Sequence, residues 1–581
     1  MARRLAWTEL APSARAELQR FEDEIASLER GRGDPEEFKK FRLQNGVYGI
    51  RQSADRQMIR IKIPFGQITP DQLDTVAEIA EEYTPSRRTH LTTRQDIQIH
   101  NVERRAVPAV LRRIHLAGLT TREACGNTVR NVTACPYAGV APDEPFDVTP
   151  YATAVASYFL RNPVSQNLPR KFKIAFEGCN HDHARTPIHD LGAVATIEGG
   201  RRGFRIYVGG GLGASPRSAE LLEAFTPAEW LIPTCEAVIR VFDRNGNRSN
   251  RNHARIKFLI KQWGIERLRA EVVAERRVLL SIRSGDLPLE IDTTEEIAPI
   301  AGLPVESAPV GTEYWAWRAS NVRPQKQDGY FSAMIRCAYG DLLPEEVRQV
   351  AEAARRFCGG RIRITIEQNL LLRWVPEALL PALYQHLTRA GLARAGAGSI
   401  VDITRCPGAD TCNLAITHSR GLAEALATAL DTGELANLPE AREFSLKISG
   451  CPNSCGQHHI ADIGFHGASK SVEGRDVPHY LILVGGGTVE GKASFGRPIG
   501  QVPARRVAAA VRALILYFHA ERQPGESFAT FVQRVGLPQL RTLLEPFRTI
   551  PSYADEPDFY EDLGAPNRPF LVQVGEGECA V

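Results

Sequence analysis

Apolar and polar residues alternate through Met58–Ile63, and Leu91, Ile97 and Ile99 keep the same two-residue register, the pattern of strands with one buried face. Thr69-Pro70-Asp71 between them suits a helix opening: a side-chain cap, then proline in the first turn, where it forfeits no intrahelical bond. The pattern predicts strands over Met58–Ile63 and His90–Val102, a helix from Thr69-Pro70, and a second helix near Pro108–Ala117. A larger unit follows this small one.

The same order of signals returns about 274 residues later. Phe65–Leu73 resembles Tyr339–Val347, and the helix Val76–Tyr83 maps onto Val350–Phe357. His90–Val102 meets Arg361–Val375, aligning Gln95 with Gln368, and Leu116–Leu119 meets Arg389–Leu392. Cys135-Pro136 then meets Cys406-Pro407, Phe172–Cys179 meets Phe444–Cys451, and His189–Gly192 meets Ala461–Gly464. So many matches in one order read as gene duplication. The sequence divides into an arm (1–44), a small unit (45–120) and a larger one (121–292), a linker (293–314), a second small unit (315–396) and a second larger one (397–550), then a tail (551–581). Two fused copies commonly enclose a site between them. These have diverged, the first keeping basic residues and the second cysteines.

Bulk properties exclude some classes. The chain has 581 residues, 43% hydrophobic and 24% charged, with a formal net charge of +3, which argues for neither nucleic acid nor membrane as partner. Apolar runs such as Tyr480–Val484 are far too short to span a bilayer. Met1-Ala-Arg-Arg leads into no apolar signal segment, so a cytoplasmic protein is expected. Its 11 cysteines then read as reduced thiols and ligands rather than as a disulfide framework.

Four of those cysteines form two close pairs, Cys406-Pro-Gly-Ala-Asp-Thr-Cys412 and Cys451-Pro-Asn-Ser-Cys455. Four thiolates so spaced give one ligand per iron of a [4Fe–4S] cube, and the surrounding glycines and prolines let the backbone fold tightly around it. A four-cysteine zinc site is the other reading, although its pairs usually have about two to four intervening residues. The first copy lacks counterparts of Cys412 and Cys455, so the pairs are no by-product of the fold.

Thr404–Cys412 together with Gly450-Cys-Pro-Asn-Ser-Cys-Gly456 resembles the signature of the sirohaem-dependent sulfite and nitrite reductases, and the resemblance runs from about Asn45 to about Gly536. It implies an α+β fold, internally duplicated, with two ferredoxin-like half-domains and two larger α/β domains binding sirohaem and cluster about a pseudo-two-fold axis. It implies sirohaem and a [4Fe–4S] cluster as cofactors, with Cys406, Cys412, Cys451 and Cys455 on the cube, Cys455 bridging to the sirohaem iron and Asn453 against the macrocycle.

Sirohaem is a polycarboxylate and the family's substrates are oxyanions, so a dense set of cations is expected. Met58–Pro64, Gly126–Val132 and Leu168–Ile174 match family segments, which places Arg60, Arg130, Lys171 and Lys173 on the substrate. Lys171 and Lys173 would point the same way on a strand, a costly arrangement if buried unless an anion meets them; alone, the segment could equally be a solvated edge strand. By the same resemblance Thr92, Arg94, Gln98, Arg170, Arg255 and Gln368 hold the macrocycle's carboxylates. His90 and Gln457 stand where the best-known members carry arginine, so neither is assigned a contact.

Within the resemblance Lys173 points to sulfite, because plant-type nitrite reductases carry asparagine there and a dianion gains more from an added cation. The expected function is six-electron reduction of sulfite to sulfide, with ferredoxin or a separate NADPH flavoprotein supplying electrons. Reduction of nitrite to ammonia on the same scaffold is the alternative; a non-catalytic iron–sulfur electron-transfer protein is the remote one. Val208–Gly213 and Val484–Gly487 read as turns of the repeat, and no flavin or nicotinamide domain is evident. His181, His183 and His189, irregularly spaced near Cys179, read as a polar loop. Cys125 and Tyr48 are placed near the pocket, and Cys579 in an exposed tail.

Overall fold

The computed structural model describes residues 5–51, 53–282, 291, 293–294, 296–298, 311–431, 444–573 and 575. Most of the linker read at 293–314, and Cys579, lie outside the described residues.

Each small unit is a five-stranded sheet backed by two helices. In the first, strands run in the order Val47–Ile50, Ser53–Ile61, Ile97–Glu103, Thr89–Leu91, and then Asp341–Leu342 from the second copy. In the second the order is Val322–Pro324, Tyr330–Ile335, Leu370–Pro376, Ile362–Ile364, and then Gln67–Ile68 from the first copy. Each half-domain therefore completes its partner's sheet, with His90 opposite Asp341 and Ile362 opposite Ile68. Helices Pro70–Tyr83 and Pro344–Cys358 pack together, and Val76, Ile79, Val350 and Ala354 belong to one core shared by both copies. Thr69 caps the first helix reciprocally with Gln72, at 3.2 and 3.0 Å.

Several expectations change. His90–Val102 is a hairpin and not one strand: Thr89–Leu91 pairs antiparallel with Ile97–Glu103 around a turn at Thr92–Asp96. Arg361–Val375 does the same, Ile362–Ile364 pairing with Leu370–Pro376. The cause is local. Thr92 Oγ1 accepts from the amides of Arg94 and Asp96 (3.2 and 3.1 Å), and Gln95 takes a left-handed φ of 57°. Further, the strand expected at Met58–Ile63 runs from Ser53 to Ile61, and Lys171 and Lys173 flank an isolated bridge, Phe172 to Val129, just before the strand Ile174–Glu177.

The larger units repeat one mixed sheet. Thr133–Ala134, Ile174–Glu177 and Leu191–Glu198 run parallel, and Arg201–Val208 and Glu220–Pro227 add antiparallel. Thr404–Arg405, Leu446–Ser449, Ile463–Val472, Arg475–Val484 and Arg497–Pro503 have the same arrangement. The arm is helical, Pro12–Glu29 and Pro35–Gln44, and Leu18, Phe21 and Ile25 pack it into the half-domain core. Among the described residues no helix is long and apolar enough to cross a membrane.

Candidate functional site

Cys406 and Cys451 leave the ends of two adjacent parallel strands, so the sheet itself brings the two cysteine loops together. The loops interlock. Cys406 N donates to Ile448 O at 3.1 Å, and Gly450 N donates to Cys406 Sγ at 3.2 Å, an N–H aimed at sulfur of the kind that cluster thiolates accept. Gly408 has φ +64°, and a Cβ there would stand 2.4 Å from Ser419 Oγ, so the tight loop after Cys406 requires glycine. Cys406 and Cys451 are buried, Cys412 half-buried and Cys455 exposed. The Cys451 thiol is pushed up by burial first and then by Cys455, Cys406 and Cys412, and that of Cys406 by burial and Cys455. Cys406, Cys412 and Cys455 are thus all near enough to act on the Cys451 thiol.

The earlier half supplies positive charge. Arg94, on the hairpin turn, is buried and donates through Nη2 to Asn131 O (2.8 Å) and Ile174 O (3.1 Å), while its Nε has no hydrogen-bond partner among the described residues. Burial, with Arg130 and Arg255, pulls Arg94 down to about 9. Lys173 is pulled well below the ordinary lysine value by burial, then by Arg94, Lys171 and Arg255, with Asp190 opposing. Asp190 is fully buried and takes Arg255 Nε and Nη2 on one oxygen (2.9 and 2.8 Å) and Lys173 N on the other (2.9 Å). Arg130 is fixed by Gly126 O and Ala124 O (2.9 and 3.1 Å). Arg60 lies over the Tyr48 ring (5.3 Å), and Gln98, with its carbonyl toward it, accepts from Arg60 Nε at 3.0 Å. Arg170 and Lys171 are half-buried, and Thr92 is buried. His189 joins this surround; burial, then Arg94, Lys173 and Arg255, keep its ring well below the usual imidazole range.

Several links join the halves at this site. Thr93 Oγ1, in the cation-bearing turn, donates to Cys455 O at 2.9 Å. Gln368 donates to Leu91 O (2.6 Å), lies 3.2 Å from His90 Nε2 and accepts from Arg405 N (2.8 Å). Gln95 mirrors it, bonding Ala134 and Ile364, so both aligned glutamines staple one copy to the other. Finally His90 Nδ1 lies 2.8 Å from Asp341, Asp341 holds Arg405 at 2.6 Å, and Arg405 donates to Cys406 O at 3.1 Å. Asn453 is exposed on the Cys451–Cys455 loop.

Sequence reasoning missed several members of this site. Asp190 carried a signal, since its counterpart Asp462 recurs in the repeat and likewise accepts a strand-opening amide, Ser445 N at 2.9 Å. Arg51 carried none. Its Nη2 donates to Asn413 O (3.2 Å), Ala415 O and Gln573 O (2.5 Å), and it faces Cys412 and Cys451 across more than three hundred residues of chain. Tyr48 and Cys125 share a small buried cluster with Leu43, Ile50 and Met58.

The residues fit both cofactors that the sequence resemblance implies. A cube needs four thiolates with N–H donors nearby, and these are present. A polycarboxylate macrocycle needs an excess of fixed cations, and here Arg94, Lys171, Lys173 and Arg255 outnumber the two acids beside them, Asp96 and Asp190, with an arginine Nε still unpartnered among the described residues.

Comparison with known proteins shows the family. Residues 125–278 and 396–548 match the nitrite and sulphite reductase 4Fe-4S domain, and residues 50–117 and 323–390 the nitrite/sulfite reductase ferredoxin-like half domain. The ferredoxin–nitrite reductase of Synechococcus elongatus is 31% identical over 448 residues, 76% of this chain and 82% of that one. A ferredoxin sulfite reductase of Mycolicibacterium paratuberculosis is 27% identical over 491 residues, 83% of each. Among solved structures, the Mycobacterium tuberculosis NirA protein superposes with a TM-score of 0.73 at 27% identity, over 91% of this chain and 97% of that one.

Proposed function

Since the chain belongs to the nitrite and sulphite reductase family, with sirohaem and a [4Fe–4S] cluster as its cofactors, we propose that it reduces sulfite to sulfide with electrons from ferredoxin. The observation that carries the choice of sulfite is Lys173, a second lysine beside Lys171, in the field of Arg94 and Arg255. The names of the more similar relatives favour nitrite, which makes reduction of nitrite to ammonia the second reading. Ferredoxin is the donor in the names of relatives of both kinds.

Cys406, Cys412, Cys451 and Cys455 would hold the cube, with Cys455 shared toward the macrocycle. Thr92, Arg94, Gln98, Arg170 and Arg255 would meet carboxylates, while Gln368 fixes the wall behind them and Asn453 lies alongside. The bound cofactors supply the electron transfer and the metal centre at which the anion is reduced. Arg60, Arg130, Lys171 and Lys173 orient the anion's oxygens and offset charge as oxygen departs. Lys173, held below its ordinary value by burial first and then by neighbouring cations, gives up a proton readily once an oxygen needs one. Buried Asp190 keeps Arg255 and the Lys173 backbone in place throughout.

The test is kcat/KM for both anions in the wild-type enzyme and in Lys173→Asn. Sulfite is expected to be preferred, and the variant to lose roughly tenfold or more of that preference, since a charge a few ångströms away at an effective dielectric near 20 contributes a few kcal/mol before compensation. A wild-type preference for nitrite, or an unchanged ratio in the variant, refutes the sulfite reading.

A further inference from the structure

The first copy contains a second cluster of metal-ligating side chains that the reduction of an oxyanion does not use. Cys135, Glu177, Cys179 and His183 each offer one donor atom, and these atoms all lie within 4.8 Å of one another. Cys135 Sγ is 3.8 Å from Cys179 Sγ, and His183 Nδ1 is 3.6 and 3.0 Å from the two sulfurs. Cys135, Glu177 and Cys179 are buried, and His183 is half-buried against the Tyr137 ring at 4.9 Å.

The duplication explains this grouping. Cys135 follows the strand Thr133–Ala134 as Cys406 follows Thr404–Arg405, and Cys179 follows Ile174–Glu177 as Cys451 follows Leu446–Ser449. Four residues beyond the second cysteine the later copy has Cys455 and the earlier copy has His183. The first copy therefore keeps three donors at the places of three cluster thiolates, with one sulfur exchanged for an imidazole. The place of Cys412 is empty of sulfur, and Glu177 supplies a carboxylate where the second copy has Ser449. Two thiols, an imidazole and a carboxylate cannot ligate the four irons of a cube, but they are the donor set and number of a tetrahedral ion.

We propose that Cys135, Cys179, His183 and Glu177 bind one zinc ion. Two thiolates on tetrahedral zinc stand roughly 3.8 Å apart, and a thiolate and imidazole nitrogen roughly 3.5 Å, from bond lengths of about 2.3 and 2.0 Å; the sulfur–sulfur distance here is 3.8 Å, and the sulfur–nitrogen distances of 3.6 and 3.0 Å lie on either side of the second value. Glu177 is already aimed. Its Oε1 accepts from Gly178 N and Cys179 N (2.9 and 3.0 Å) and its Oε2 from Ala184 N (2.7 Å), so the carboxylate is fixed and the remaining lone pair of Oε2 is the one for the ion. Binding displaces two thiol protons to solvent, giving a site of charge −1. Arg323, 3.4 Å from His183 Nε2, and Arg185 after the loop stand ready to offset that charge. The ion would pin the loop from Gly178 to Arg185, whose far end carries the Arg185 bonds to Thr488 (3.0 Å) and Glu367 (3.1 Å) in the other copy. Its role is structural: it braces the segment leading to His189 and Asp190.

The experiment is metal analysis of holoenzyme purified anaerobically and washed with EDTA, together with zinc K-edge absorption spectroscopy. The expected result is about one zinc per chain in a shell of two sulfurs and two nitrogen or oxygen atoms. In Cys179→Ser and in His183→Ala, zinc should fall to about a tenth or less while iron content and the sirohaem spectrum persist. Substoichiometric zinc in the wild type, zinc retained by both variants, or a Cys135–Cys179 disulfide in protein alkylated before reduction overturns the proposal. Should the variants fail to fold, the wild-type shell decides, because four sulfurs would place the zinc in the cluster site and no sulfur would place it elsewhere.

Discussion

Asp190→Asn tests whether the cation crowd is built around an anionic guest. Asp190 is fully buried and makes three hydrogen bonds, two from Arg255 (2.9 and 2.8 Å) and one from Lys173 N (2.9 Å). Asparagine can keep its oxygen toward Arg255, but its amide then faces the Lys173 N–H, donor against donor, at a cost of about 1–3 kcal/mol. The lost charge matters more. Removing one partner of a buried ion pair costs about 3–5 kcal/mol, and here Arg94, Lys173 and Lys257 share the same aspartate. In protein made without sirohaem, a loss of roughly 3 kcal/mol is expected even after relaxation. For a unit the size of residues 121–292 that is a fall in Tm of about 6–12 °C. With the macrocycle bound, its carboxylates stand in for the missing charge, and the loss should shrink to about 1 kcal/mol, the residual donor clash.

The assay is thermal unfolding of wild type and variant, each purified from hosts with and without sirohaem synthesis. By linkage the same difference appears as tighter retention of the macrocycle by the variant than by the wild type. Equal destabilisation of the two forms, or a larger loss in the loaded one, refutes the idea that this pocket's surplus charge awaits a polyanion.

Arg51→Gln removes a cation that faces Cys412 and Cys451, so the cluster potential should fall by roughly 40 mV, the equivalent of about 1 kcal/mol of screened charge for one electron. A redox titration followed by electron paramagnetic resonance reads this, and an unchanged potential counts against a role for Arg51 at the cluster. His418 binds Asp562 at 2.9 Å; burial works against its charge, but Asp562 and Asp410 outweigh it and raise the ring above its ordinary value of 6.5. A raised value stabilises the folded state fully below about 6.5 and loses that contribution as pH climbs through the folded value. The tail after Asp562 should therefore be cut faster by protease at pH 9 than at pH 6, and His418→Gln should abolish the difference.

What the sequence made legible follows from which signals are local. The cysteine loops and the repeat could be read because spacing and order survive in one dimension. The strand exchange could not, since Gln67–Ile68 and Asp341–Leu342 are two-residue strands whose partners lie in the other copy. The hairpins at Thr92–Asp96 and Thr365–Asn369 were missed for a different reason. Gln95 and Gln368 turn the chain with left-handed backbone where glycine or asparagine would have announced it. The alignment of those two glutamines was nonetheless the better clue, because each bridges the copies through its amide. His183 reads as part of a polar loop because only Cys179 is near it in sequence: Cys135 lies beyond the preceding helix, and only the sheet brings it within reach.

The exchange of edge strands also bears on how the two copies could diverge. Neither half-domain can complete its sheet alone, and their cores are continuous, so the pair is held in one orientation whatever happens at the strand ends above. Side chains there were free to change. The later copy kept four sulfurs at the ends of Thr404–Arg405 and Leu446–Ser449; the earlier kept two at the same ends, exchanged a third for His183 and placed Asp190 and its cations one strand over. A pocket that needs thiolates on one wall and ammonium and guanidinium groups on the other cannot be made by two identical copies. Thr93 Oγ1 on Cys455 O marks where those walls touch. A duplicated scaffold of fixed geometry with unlike strand ends provides both walls at once.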